Sequence, residues 1–157
     1  SRIDVLIHPQ SVVHSLVELM DGSVLAQLGI ADMRIPIAYA LAYPRRLAND
    51  LPGLNLVKAG PLAFLKPDLK KFPCLALAYE AGRMGGTAPV VLNAANEVAV
   101  AAFVENKICF HDLPKVIEKV LNRHQAQKNP SLEDILDVDG ESRIQAGSFL
   151  KQLQKGT

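Results

Sequence analysis

The run His8-Pro9-Gln10-Ser11-Val12-Val13-His14 gathers residue types that do chemistry: a hydroxyl that can attack or bind, and imidazoles that can move a proton or hold a metal. Ser11 and His14 invite a nucleophile-and-base reading, but three residues apart on a strand they point to opposite faces. The spacing excludes that pair. His8, Gln10 and His14 have like parity, yet no Asp, Glu or Cys accompanies them at metal-ligand spacing. Histidines satisfied by neighbouring backbone are the favoured reading. A second polar set, Asn93, Asn96 and Glu97, interrupts an apolar helical stretch. Asn93 and Glu97 lie one turn apart and can pair, and the set reads as glue between helices rather than a ligand site. His111 and His124 stand near a helix start and a helix end, with no role beyond capping or solvent. Gly82 and Gly85-Gly86 lack the preceding strand and the spacing of a phosphate cradle. Arg45-Arg46 and Lys70-Lys71 are too short to be more than solvated pairs.

The elements that must position these groups begin with a hairpin. Asp21-Gly22 is the strongest short-range hairpin signal, because both central positions of a type I′ turn need positive φ. A turn centred there pairs Met20 with Ser23, Val17 with Ala26 and Ser15 with Leu28. Val13, Ser15, Val17 and Leu19 then share a core face with Val24, Ala26 and Leu28, and the other face is mixed. Extended to the open end, this register sets Ser11 opposite Asp32, beside Met33. Ile3 to His8 reads as a further strand. Asp32 caps a helix with Pro36 in its first turn and Ile37, Ala40 and Leu41 as its apolar stripe, and Pro44 stops it. Residues 44–73 hold too many prolines and glycines for regular structure beyond a short strand near Leu54 to Val57.

Helical periodicity takes over at Cys74. Leu75, Leu77, Ala78 and Ala81 follow Pro73, and Gly85-Gly86 ends that helix. Thr87 caps a long helix to about Lys107, apolar at Val91, Ala94, Ala95, Val98 and Ala102 and again at Val100, Phe103 and Val104, which reads as surrounded. Asp112 and Pro114 open a third helix. Ser131 to Asp134 resembles a capping box for a short helix, and Gly140 to Leu153 gives a last one with Ile144, Phe149 and Leu153 inward. The fold class is α+β: a strand-and-hairpin platform over 1–43, a proline-rich connector over 44–73, and an α-helical bundle over 74–157.

Composition bounds the function. With 157 residues and 49% hydrophobic content, the chain can bury one ordinary core or two small subdomains. Its 17 basic and 16 acidic residues, net +1, offer no electrostatic footprint for nucleic acid or an acidic membrane. Cys74 and Cys109 read as buried thiols of a reducing compartment rather than a disulfide or zinc site. No transmembrane helix is expected, because Asn93, Asn96 and Glu97 interrupt the longest apolar stretch, and no signal peptide is expected either. The opening strand is of a kind found inside a sheet, so the chain reads as a piece of something longer.

The stretches IHPQSVVHS, DGSVLAQLG followed by DMR and PIAYAL, FPCLALAYEA, and GGTAPVVLNAANEVAVAAF, in this order from Ile3 to about Gln152, resemble the 1-deoxy-D-xylulose-5-phosphate reductoisomerase family. The resemblance covers only the family's C-terminal part: the end of its catalytic domain, the connector and the C-terminal helical domain. It implies an enzyme that isomerises 1-deoxy-D-xylulose 5-phosphate and reduces the product with NADPH to 2-C-methyl-D-erythritol 4-phosphate, using a divalent metal, Mg or Mn. The family's dinucleotide domain, metal ligands, phosphate-binding residues and lid precede Ser1, so no metal ligand and no complete catalytic set is carried over. Three positions are. Ser11 matches the serine beside the substrate, His14 the histidine that supports the site, and Met33 the methionine near the nicotinamide. Ala31 departs from the family's common proline.

The resemblance further implies a homodimer in a bacterial cytoplasm or a plastid, a small phosphosugar as substrate, and neither nucleic acid nor membrane as partner. Alone, this chain is expected to be inactive and to bind no cofactor. A stand-alone interaction or dimerisation module with the same fold is the competing expectation.

Overall fold

The computed structural model describes residues 3–155, which form two compact units, one over Asp4–Pro67 and one that groups Ile3 with the residues from Asp68 onward. In the first unit, β1 (Val13–Glu18) and β2 (Val24–Leu28) pair antiparallel. Leu19 N–H donates to Ser23 O at 2.8 Å and Gly22 N–H to Leu19 O at 3.0 Å, and of the turn residues only Gly22 has positive φ, at 82°. The loop is therefore Met20-Asp21-Gly22, a turn followed by one left-handed residue, rather than a two-residue turn. Asp21 Oδ1 accepts the Ser23 N–H at 2.9 Å, which holds the carboxyl below its usual range.

The register accordingly slips by one from the expected one: Val17 faces Leu25, Leu16 faces Ala26 and Ser15 faces Gln27. A one-residue slip exchanges faces, so Val17 and Leu19 stand with Leu25, not with Val24 and Ala26. Nor is either face a core. Every residue of both strands beyond Val13 is exposed, since a lone hairpin has nothing to pack on.

Two other expectations in this unit are corrected. Ile3 to His8 forms no strand beyond a bridge from Ile7 to Leu65, and Leu54 to Val57 forms no strand either. Leu56–Ala59 is instead one helical turn, α2, because Asn55 accepts the Lys58 N–H with its side chain and Gly60 ends the turn at φ 68°. Helix α1 (Arg34–Ala42) ends before Pro44 as expected, but buries none of its residues, and Leu41 is 83% exposed.

The second unit is helical: α3 (Pro73–Met84), α4 (Ala88–Val104), α5 (Leu113–Leu121) and α6 (Leu132–Lys155). Helix α4 packs on α3, α5 and α6 through Val91, Ala94, Ala95, Ala99 and Ala102, all buried. Small side chains on that face let three neighbours approach closely. Val116, Ile117, Val120 and Leu121 of α5 and Ala146, Phe149 and Leu150 of α6 complete the core. The outer side of α4 is open, however, with Val104 71% exposed and Val100 and Phe103 exposed beside it. Ile144 also points outward, and Cys109 is exposed, whereas burial raises the pKa of the half-buried Cys74 thiol.

Asn93, Asn96 and Glu97 thus lie on a solvent-facing side of α4 rather than inside a surrounded helix. Glu97 still ties α4 to α6, whereas Asn93 bonds within α4. Asn93 Nδ2 donates to Glu97 Oε1 at 3.1 Å, and Arg143 of α6 donates to Glu97 Oε2 at 2.7 Å and to Asp139 Oδ2 at 2.6 Å. The guanidinium holds both carboxyls below their ordinary range.

Helix α6 is one element, not two. Its capping box forms as expected, with Asp134 N–H donating to Ser131 Oγ and Ser131 N–H to Asp134 Oδ2, and the helix then runs through Gly140. A single glycine costs too little to break a helix braced by Asp139 and Arg143 across it. An added Cβ at Gly140 meets nothing within 4 Å. Gly140→Ala is therefore expected to stabilise the helical unit by about 0.5–1 kcal/mol, read as a raised Tm. A lowered Tm would contradict the continuous helix.

Thr87 caps no helix with its side chain. It is fully buried, and its hydroxyl joins His124 Nε2 at 2.6 Å and accepts the Gln127 N–H at 3.0 Å, fastening the segment between α5 and α6 to the start of α4. His124 is therefore a tertiary partner rather than a solvent group. Burial lowers its pKa below the ordinary 6.5. The unfolded chain then binds a proton that the folded state resists, so this contribution is present in full above pH 6.5 and is lost as pH falls through the folded value. His124→Gln is expected to flatten the pH dependence of urea stability in that window. An unchanged slope would contradict the assignment.

Candidate functional site

Ser11 and His14 stand at the hairpin's open end, with His8 and Gln10 just before them. His8-Pro9-Gln10-Ser11 closes a tight turn in which Ser11 N–H donates to His8 O at 3.1 Å, with proline preset for the turn. Ser11 emerges with φ 51°, a left-handed conformation that non-glycine residues seldom adopt. It is exposed, and its hydroxyl takes no hydrogen bond among the described residues.

The pairing of Val13 with Leu28 and of Ser15 with Gln27 leaves His14 as the extra residue of a β-bulge. Bulges re-aim a side chain, and this one carries the imidazole back over the loop. His14 Nε2 lies 3.0 Å from Ser11 O, and because a carbonyl only accepts, the ring nitrogen donates. A Cβ built on Gly29 would lie 3.8 Å from His14 Cε1, so the ring runs beside Gly29. Ser11 and His14 are thus brought together, through backbone and ring rather than as hydroxyl and base. Simple strand alternation does not describe this pair, because Ser11 precedes β1 and His14 is the bulge residue.

On the other strand, Gly29 N–H donates to Val12 O at 3.0 Å, so the ladder's continuation sets Ser11 opposite Ile30, not Asp32. Asp32 accepts the Arg34 N–H at 2.9 Å and is gripped by the Arg34 guanidinium at 2.7 Å, which draws its pKa from 3.8 to about 2. This clamp starts α1 and fixes the turn that carries Met33. Met33 caps α1 and is 71% exposed. Ser11 before β1 and Met33 beyond β2 therefore flank the same end of the hairpin.

The contribution missed in sequence lies behind the loop. His8 Nδ1 donates to Ala63 O at 2.7 Å, and its ring stacks on Phe64 with centroids 4.7 Å apart. Gln10 donates to Pro61 O at 3.1 Å and accepts from Ala63 N at 3.3 Å, and Ile7 exchanges two backbone bonds of 2.9 Å with Leu65. The apolar Ala63-Phe64-Leu65 between Pro61 and Pro67 was the available signal that this segment pairs with something.

These groups stand at one end of the hairpin, with Ser11 and His14 exposed. Among the described residues no group of three or more His, Cys, Asp or Glu could hold a metal ion, so the donor set does not fit a divalent cation. The one sheet among them is an antiparallel pair, which does not fit a doubly wound nucleotide site. No helix among them is long and apolar enough to cross a membrane.

Comparison with known proteins places these features in context. Residues 28–145 match the family model of the DXP reductoisomerase C-terminal domain. The chain is 55% identical over 149 residues to the 1-deoxy-D-xylulose 5-phosphate reductoisomerase of Desulforamulus reducens, covering 95% of this chain and 38% of that protein. It is also similar to the crystal structure of a DOX-P reductoisomerase in complex with NADPH, fosmidomycin and magnesium, at 46% identity and a TM-score of 0.87, covering 97% of this chain and 40% of that one. The Zymomonas mobilis enzyme in complex with NADPH matches at 48% identity and a TM-score of 0.83, over 92% of this chain and 38% of that one. The chain thus spans well under half the length of the proteins it matches.

Proposed function

Because the chain belongs to the 1-deoxy-D-xylulose 5-phosphate reductoisomerase family, we propose that it is the C-terminal part of an enzyme converting 1-deoxy-D-xylulose 5-phosphate to 2-C-methyl-D-erythritol 4-phosphate with NADPH and Mg or Mn. Its own contribution is one wall of the site. Ser11 presents its hydroxyl to the phosphosugar, His14 braces Ser11 by donating to its carbonyl, and Met33 lies against the nicotinamide. The observation that carries this reading is the exposed Ser11 hydroxyl, held in a left-handed turn and braced by His14, in a chain similar to a structure solved with NADPH, fosmidomycin and magnesium. Metal and dinucleotide are held by residues outside this chain, and the chain alone is inactive.

Residues 1–43 are the end of a catalytic domain, 44–73 the connector and 74–157 a helical domain. The uncovered hairpin, with Val17 and Leu25 exposed, supports a homodimer in the full-length protein, and a bacterial cytoplasm or a plastid is the setting. The test is to incubate the full-length protein with 1-deoxy-D-xylulose 5-phosphate, Mn and NADPH and identify the product. 2-C-methyl-D-erythritol 4-phosphate is expected, and absence of NADPH oxidation would overturn the proposal.

A further inference from the structure

Ser11 keeps a backbone conformation that its residue type disfavours, and such a conformation persists only where surrounding contacts over-determine it. Within the loop there is one restraint on each side: the Ser11 N–H bond to His8 O and the His14 bond to Ser11 O. The turn itself is held from behind by the 61–65 strap. His8 grips it with Nδ1 on Ala63 O and with a ring face on Phe64, while Gln10 uses its side-chain amide as a strand would, donating to Pro61 O and accepting from Ala63 N. Nε2 of His8 is shielded from solvent and meets no partner among the described residues, so within this unit the ring is held through Nδ1 and its face.

We propose that His8 and Gln10 are positioning residues, which through the strap at Pro61 to Leu65 set the place of the Ser11 hydroxyl without touching a reacting group. The inference rests on the reading of Ser11 as substrate-proximal. It follows that the strap is part of the site's machinery although it contributes no side chain to the wall.

The test compares His8→Phe, His8→Asn and Gln10→Ala, each alone and with Ser11→Ala, in the full-length reductoisomerase. His8→Phe keeps the stack and loses the donor, whereas Asn places an N–H where Nδ1 was. His8→Phe and Gln10→Ala are each expected to raise KM for 1-deoxy-D-xylulose 5-phosphate about tenfold, with kcat changed far less. His8→Asn should recover most of the loss. Neither variant should worsen Ser11→Ala, since both act through the same hydroxyl. Wild-type KM in both variants, or losses that add to that of Ser11→Ala, would overturn the proposal. If Ser11→Ala itself leaves kcat/KM unchanged, the substrate reading of Ser11 has failed. Amide exchange in the 157-residue chain then judges the strap separately: faster exchange of the Ser11 N–H in His8→Phe supports it, and unchanged exchange overturns it. Should His8→Phe fail to fold, Gln10→Ala decides on the same readouts.

Discussion

Ser11→Ala in the full-length protein is expected to lower kcat/KM for 1-deoxy-D-xylulose 5-phosphate by on the order of ten- to a hundredfold, the consequence of losing one hydrogen bond to a charged ligand worth about 1.5–3 kcal/mol. Among the described residues the hydroxyl has no other partner, so its removal disturbs no internal bond. The backbone should stay where it is, because the restraints on Ser11 run through its N–H and its carbonyl. Steady-state kinetics with an unchanged Tm would therefore isolate the contact. Wild-type kinetics would remove Ser11 from the substrate wall.

Gly86→Ala is expected to be the most damaging single substitution in the helical unit. A Cβ at that position would stand 2.1 Å from Gln127 O, a backbone atom, and φ there is 54°. The carbonyl is not free to retreat. It accepts the Thr87 N–H at 3.2 Å, and the Gln127 N–H is itself bound to Thr87 Oγ at 3.0 Å, so moving it breaks the tie that includes His124. Overlap with a fixed atom and a left-handed alanine together cost about 3–5 kcal/mol. The urea midpoint of the helical unit should fall accordingly. A midpoint equal to wild type would mean that the segment between α5 and α6 does not lie against Gly86.

What could be read from residue order was what neighbouring residues decide among themselves. The Ser131 and Asp134 capping box, the stop at Gly85 and the start of α5 near Pro114 each depend on a few adjacent positions, and each appears as expected. The α+β class and the family followed from stretches of that kind. Asp21-Gly22 shows the limit of local signals. The same dipeptide serves a two-residue turn or the end of a three-residue one, and the two differ by a register slip that exchanges every face. Gly140 shows another, since glycine inside a helix and glycine at its end look alike until the packing is known.

The part of the site that escaped reading depends on distant partners. His8 and Gln10 find theirs more than fifty residues away, in a stretch that composition marked as a connector. The bulge at His14 arises from pairing with β2 and leaves no mark in the alternation of β1 itself. Thr87 carried a capping signature, but its hydroxyl is spent on His124 and Gln127. At Thr87 a tertiary bond outcompeted the local use of the same group.

As proposed, the chain forms one flank of a reaction chamber whose metal and reductant are held elsewhere. That proposal is tested most directly by incubating the purified 157-residue chain with 1-deoxy-D-xylulose 5-phosphate, Mn and NADPH, beside the full-length protein. No NADPH oxidation is expected from the chain alone, and steady oxidation from the full-length protein. Turnover by the chain alone would contradict it.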